Sequence, residues 1–461
     1  MHTPAREWYV ETPRNNLSYW GLDYPPASGY QSWLCGKAIA AIEPAAVALG
    51  TSHGYETPSS KRLMRLSVLF FDAVCFFPAA LAAVRALYGA RASPSDLAWA
   101  LASVLLQPAF VLIDHGHFQY NNISLGLAAA AVAAIARGEP VLGSVLYTLS
   151  FNHKQMALFY APAFFAHLLG RCFESRRPVL AVARLGAAVI GTMVLLWAPF
   201  LRDPGPLAVA ARLAPIGRGV FEDFVASLWC GHDALQWHLL GPNVLPALRC
   251  VTSPVFRWRE RFAAPTLARA AAALSLAACV PSCVQQALRP SRLGLPYCML
   301  CCAMAAFLLG FQVHEKSVLL PLLPACLLAL EEPELLRVLG PLAAFSMYPL
   351  LRFELLGGAA YAAALCAGVL VVGAAPRSAR GFATRRGRAA AAVWAAGAVA
   401  GAAALHASYA VPAPEALPHL HALGVSAFSA ANFAAVALYA NVRQWQLPAD
   451  GGAPTKRKKA A

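Results

Sequence analysis

The feature that most constrains this chain is a succession of thirteen apolar runs, at about 63–88, 96–113, 122–136, 139–151, 155–170, 178–200, 264–286, 295–311, 317–331, 336–350, 355–374, 389–407 and 421–440. Each approaches the roughly 20 apolar residues that a helix needs to cross a bilayer. A backbone in hydrocarbon must satisfy its own hydrogen bonds, so runs of this kind read as helices. Composition excludes the alternatives. With 59% hydrophobic and 13% charged residues and a mean hydropathy of +0.54, the chain has too little polar surface for a soluble fold. It is far too apolar for disorder. The expected fold class is an all-α polytopic membrane protein of about 13 transmembrane helices. The runs 122–136 and 139–151 leave two readings open, full spans or a pair of half-helices.

Lysine and arginine set the orientation. One alternating set of connections carries Arg91; Arg137; Arg171, Arg176 and Arg177; Arg289 and Arg292; Arg337; and Arg377, Arg380, Arg385, Arg386 and Arg388. The opposite short connections hold little beyond Lys154, Lys316 and Arg352. The first set is therefore assigned to the cytosol. The net charge of +15 then reflects topology rather than nucleic-acid binding. The tail Lys458-Lys459-Ala460-Ala461 resembles a dilysine retrieval signal of the endoplasmic reticulum, which would make the opposite face lumenal. Four stretches follow: a lumenal segment 1–62, a catalytic membrane core 63–353, C-terminal helices 354–442 and a basic cytosolic tail 443–461. Thirteen spans with a lumenal N-terminus also call for one further span upstream.

Asn16-Leu17-Ser18 is a glycosylation acceptor on the lumenal side, whereas Asn122-Ile123-Ser124 is expected to lie too close to the membrane for use. The twelve cysteines sit mostly in apolar runs, where a thiol serves as a small hydrophobe. Cys298, Cys301 and Cys302 form a C-x-x-C-C, but no second Cys or His pair stands at metal-site spacing.

Polar groups are costly at membrane depth, so where they gather is informative. They gather at lumenal ends of spans, in the segments 19–26, 114–121, 152–155, 218–223 and 312–317. Asp23 and Tyr24 precede the Pro25-Pro26 pair, and Asp23 reads either as a turn residue or as an acceptor-positioning carboxylate. Asp114, His115, His117, Gln119, Tyr120 and Asn121 read as a hydrogen-bond network or as substrate contacts. A metal is disfavoured there, because residues two apart do not share a helical face. Lys154 and Gln155 close another span, and Lys154 could meet a phosphate, a carboxylate or a carbonyl. Arg218, Glu222 and Asp223 lie in the long loop, as solvated groups or as ligands of sugar hydroxyls. His314, Glu315 and Lys316 open the span at 317, where a helix N-terminus adds partial positive charge. Tyr19, Trp20 and Trp229 read as interface aromatics or as sugar-stacking platforms. Cations for a lipid phosphate and carboxylates for a hydroxyl suit glycosyl transfer between lipid-linked substrates. No D-x-D pair demands a metal.

Six strings carry a family resemblance: YWGLDYPP (19–26), TSHGYE (51–56), DHGHFQYN (114–121), NHKQM (152–156), RGVFEDFVASLWC (218–230) and FQVHEKS (311–317). By these the chain resembles the endoplasmic-reticulum glucosyltransferases that use dolichyl-phosphate glucose to build the N-glycan precursor. The resemblance runs from residue 7 to about 353. It implies a GT-C membrane fold and a metal-free, cofactor-free, inverting transfer in the lumen. The implied partners are a dolichyl-phosphate glucose donor, a dolichyl-diphosphate oligosaccharide acceptor and membrane lipid, with no nucleic acid. Gly21, Lys154-Gln155-Met156 and Arg218–Asp223 favour the enzyme that adds the first glucose in α-1,3 linkage to the nine-mannose oligosaccharide. His115 and His153 stand where that enzyme usually has tyrosines, and His115 is shared with the second-glucose enzyme, which stays as the alternative. The resemblance places the family's catalytic aspartate upstream of Met1. That leaves Asp23 as the catalytic candidate of this chain, and an inactive fragment as a further reading.

Overall fold

Each of the thirteen apolar runs contains a helix in the computed structural model, which describes residues 2–213, 224–230, 264–311, 313–379, 385–415 and 417–447. No strand occurs among the described residues. In chain order we number α1 Pro26–Ala40, α2 Pro58–Tyr88, α3 Pro94–Phe118, α4 Asn121–Ala136, α5 Pro140–His153, α6 Gln155–Phe173, α7 Pro178–Phe200, α8 Ala264–Leu288, α9 Gly294–Leu309, α10 Leu319–Leu327, α11 Pro333–Ser346, α12 Ala359–Gly373, α13 Arg385–Ser408 and α14 Leu420–Trp445. Among the described residues six segments are long and apolar enough to cross a membrane: α2, α3, α6, α7, residues Pro265–Leu288 of α8, and α14. The helices Asn121–Ala136, Gly294–Leu309, Ala359–Gly373 and Ala392–Ser408 are apolar but shorter. The protein is thus a helical, multi-span membrane protein.

Local sequence explains the boundaries. Proline stands in the first turn of α1, α2, α3, α5 and α11, where its missing N–H costs nothing. Thr57 with Ser60 and Ser93 with Asp96 form reciprocal caps that start α2 and α3. Gly138, at φ +85°, makes the left-handed turn between α4 and α5. These two helices pack antiparallel, with Ser124 Oγ donating to the Ser150 carbonyl (2.9 Å) and Ser150 Oγ to the Ser124 carbonyl (2.7 Å). The run pair 122–136 and 139–151 is therefore a helical hairpin. On α7 the side chains of Val179, Ile190 and Leu195 are 83%, 64% and 79% exposed. Such apolar exposure on more than one face of the helix is tolerable only against lipid. The segment before α2 also carries structure that the apolar runs did not announce, above all the fifteen-residue α1.

Chain contacts divide the protein into two compact units, Met1–Leu158 with Ala183–Arg218 and Leu351–Ala374, and Phe159–Val182 with Gly219–Leu350 and Ala375–Ala461. In the first, α4 packs between α2 and α5. In the second, the almost wholly buried α9 packs against α8, α10 and α14. There the buried Glu332 accepts from Tyr297 Oη (2.5 Å), Tyr439 Oη (2.6 Å) and Arg443 Nε (2.8 Å). A buried carboxylate is tolerated only with partners of this kind.

Candidate functional site

Two of the long helices lose their regular pitch, each at an aspartate. In α2 the residues Asp72–Phe76 form a π-helical turn, and in α3 so do Val111–Phe118. The first has a local cause: Pro78 has no N–H for the Val74 carbonyl one turn back, so the ladder slips to the wider turn. The second ends at Phe118, whose φ of 73° is strained for a residue with a Cβ. It is held by the Gln119 N–H, which bonds back to the Asp114 carbonyl at 3.2 Å, and by edge contact of the Phe118 and Tyr120 rings. Such turns widen the helix and aim the side chains inward. Asp72 is 1% exposed and Asp114 is fully buried.

A polar nest forms between them. Asp114 takes the place of a missing cap at the start of α4. Its carboxylate accepts from the Asn122 N–H at 2.7 Å and from Asn121 Nδ2 at 2.6 Å. The N-terminal partial charge of α4 favours an anion there. The Asn121 amide oxygen in turn accepts from Lys154 Nζ, which also donates to Gln119 Oε1 (3.4 Å) and lies 5.6 Å from the centre of the Tyr24 ring. Gln119 Nε2 reaches His117 Nε2 at 3.4 Å, and His117 Nδ1 is paired with Glu354. On the other flank Asn122 Nδ2 donates to Asp72 Oδ2 (3.2 Å), the same oxygen that holds His115 Nε2 at 2.9 Å. This approach needs Gly126: a Cβ there would stand 3.0 Å from the Phe76 Cα in the π turn of α2. Tyr120 Oη meets Ser67 Oγ at 2.7 Å, and burial pushes its pKa up to about 12, so it stays a neutral donor.

Of the expected residues, Tyr24, Asp114, His115, His117, Gln119, Tyr120, Asn121 and Lys154 fall within this nest. Gln155 joins through Nε2, which donates to the Asp23 carbonyl at 3.0 Å. The Asp23 side chain itself is exposed and accepts no hydrogen bond from the described residues. Lys154 donates to an amide carbonyl oxygen, that of Asn121. His115 and His117 turn to different acids, so the run 114–117 does not converge on one ion position. Three members escaped sequence reasoning: Asp72, Asn122 and Glu354. An ionisable residue inside the run 63–88 was the available signal for Asp72. Asn122 is 3% exposed and hydrogen-bonded, which is why its glycosylation motif cannot serve. Nothing in the spacing links Glu354 to His117, 237 residues earlier.

In the second unit His314, Glu315 and Lys316 form a short turn ahead of α10. His314 N–H bonds Ser317 Oγ at 3.2 Å, and His314 Nδ1 stands 2.8 Å from Glu315 Oε2. Burial raises the pKa of Glu315, but the bond to His314, its charge and the backbone N–H of Phe224 together hold the carboxyl below its ordinary value. The strings 218–230 and 311–317 are thus joined through Phe224. Arg218, Glu222 and Asp223 lie outside the described residues. Trp229 corrects an expectation. It is 6% exposed, packs on Leu267, Ala271 and Phe311, and donates from Nε1 to the Leu309 carbonyl at 2.8 Å, so it is core rather than a platform for sugar or an interface aromatic. Tyr19 is exposed, with its ring 4.2 Å from that of His53; the Trp20 side chain lies outside the described set.

The pattern of the ALG6, ALG8 glycosyltransferase family matches residues 1–439. The chain belongs to this family. Among curated relatives, the probable dolichyl pyrophosphate Man9GlcNAc2 alpha-1,3-glucosyltransferase of Arabidopsis thaliana is 44% identical over 351 residues, covering 76% of this chain and 62% of that protein. The dolichyl pyrophosphate Man9GlcNAc2 alpha-1,3-glucosyltransferase of Gallus gallus is 37% identical over 355 residues, 76% of this chain and 65% of the relative. That of Saccharomyces cerevisiae is 35% identical over 366 residues, 76% and 62%. The chain therefore spans between 62% and 65% of the length of these three relatives.

Proposed function

We propose that this protein transfers glucose from dolichyl-phosphate glucose, in α-1,3 linkage, to the nine-mannose dolichyl-diphosphate oligosaccharide, inverting the anomeric carbon. The reading places it as a GT-C fold of about thirteen spans in the endoplasmic-reticulum membrane, with its polar clusters on the lumenal side. The observation that carries it is the Asp114–Asn121–Lys154 nest at the ends of α3 and α5. Costly ionic groups are buried there at the ends of membrane helices. Relatives named for this transfer support it.

The chemistry is a direct displacement. An acceptor hydroxyl attacks the anomeric carbon as the bond to the phosphate oxygen breaks, and the hydroxyl proton passes to a carboxylate. Negative charge builds on the departing dolichyl phosphate, and Lys154, or Lys316 of the turn 314–316, supplies the countercharge. Asp23, exposed beside Tyr24, is the carboxylate offered to the acceptor. The site calls for no metal in this step.

Microsomes lacking the endogenous activity, supplied with this protein and labelled dolichyl-phosphate glucose, should add one α-1,3-linked glucose to the Man9GlcNAc2 lipid. Transfer only to an acceptor that already carries a glucose would assign the second-glucose step instead. Absence of transfer to either would overturn the reading.

A further inference from the structure

Packing in the second unit assembles a thiol cluster that spacing along the chain does not. Cys298 and Cys302 lie four residues apart on α9 and so share one face. Cys283 reaches them from α8, which packs on α9. The Cys283 and Cys302 sulfurs are 3.7 Å apart and those of Cys298 and Cys302 are 4.0 Å apart, with all three within 4.8 Å of one another. A d10 ion about 2.3 Å from each sulfur in tetrahedral array spaces its ligands about 3.8 Å apart. Among the described residues this is the one group of three ligating side chains so placed.

We propose that Cys283, Cys298 and Cys302 bind one thiophilic d10 cation, zinc(II) or copper(I). Several features select that class. The ligands are all sulfur, which prefers soft ions. The site is closed on one side, because Cys298 and Cys302 are wholly buried, while half-buried Cys283 leaves an edge for entry. No carboxylate or imidazole belongs to the group, so the complex must be neutral in apolar surroundings. Zinc meets this by displacing two thiol protons and copper by displacing one, the remaining sulfurs binding as neutral thiols. The ion would clamp α8 to α9 and take no part in transfer.

The full chain, purified in detergent without chelator or added thiol, should contain about one zinc or copper per polypeptide. Absorption at the edge of whichever metal is present should show only sulfur neighbours from the protein and tell the two ions apart. The triple variant Cys283→Ser, Cys298→Ser, Cys302→Ser should retain less than about a tenth of the ion. Should that variant fail to fold, wild type decides the matter: loading with zinc or copper alone should protect Cys283 from a membrane-permeable maleimide. Equal metal in the triple variant, a disulfide within the trio, or undiminished alkylation after loading with each metal would overturn the site.

Discussion

Asp114→Ala should lower glucose transfer by about a hundredfold, through the displacement of Asn121 and with it Lys154, the proposed countercharge to the phosphate. The Asp114 carboxylate carries no proposed contact with substrate. It holds Asn121 and Asn122 at the start of α4, and Asn121 holds Lys154. Alanine would leave the Asn122 N–H buried without its acceptor, at about 1–3 kcal/mol, whereas Asn121 Nδ2 would keep its bond to Gln119 Oε1 at 3.0 Å. The protein should therefore also lose stability, by about 1–3 kcal/mol. Asp114→Asn separates the two effects. Its amide oxygen can still accept one of the two bonds, so most of the stability should return while transfer stays depressed. Transfer rates and thermal unfolding in detergent, measured on both variants, check this.

Lys154→Ala should lower kcat/KM by about 10²–10³ with little change in unfolding temperature. The contrast with Asp114 comes from exposure. Lys154 is half-buried, and the Asn121 and Gln119 amide oxygens and the Tyr24 ring beside it are neutral groups that carry no charge to be stranded in its absence. A compact ammonium also differs from a planar guanidinium. Lys154→Arg should accordingly restore only part of the rate. If Lys154→Ala transferred glucose normally, the phosphate countercharge would have to reside elsewhere, with His314–Lys316 as the alternative.

Much of the architecture was legible in the amino-acid sequence, because hydropathy reports the one constraint that dominates in lipid. All thirteen apolar runs contain helices, and proline in the first turn marks where α2, α3, α5 and α11 begin. What hydropathy could not report was α1, whose polar and apolar residues are mixed, or the slip into π geometry at Asp72 and Asp114. The local string 114–121 announced most of the nest, since its members are near neighbours in the chain. Glu354 and Cys283 did not announce themselves, because their partners are reached only by packing. Trp229 misled for a related reason: aromatic side chains look alike in a core, a headgroup layer and a sugar site until burial is known.

The most direct test of the account asks whether donor sugar reaches the nest. A photoreactive azido-sugar analogue of dolichyl-phosphate glucose, irradiated with the protein in lipid and mapped by peptide mass spectrometry, should mark the segments 114–121 and 152–155, and excess unmodified donor should abolish the labelling. Competable labels confined to other segments would contradict it.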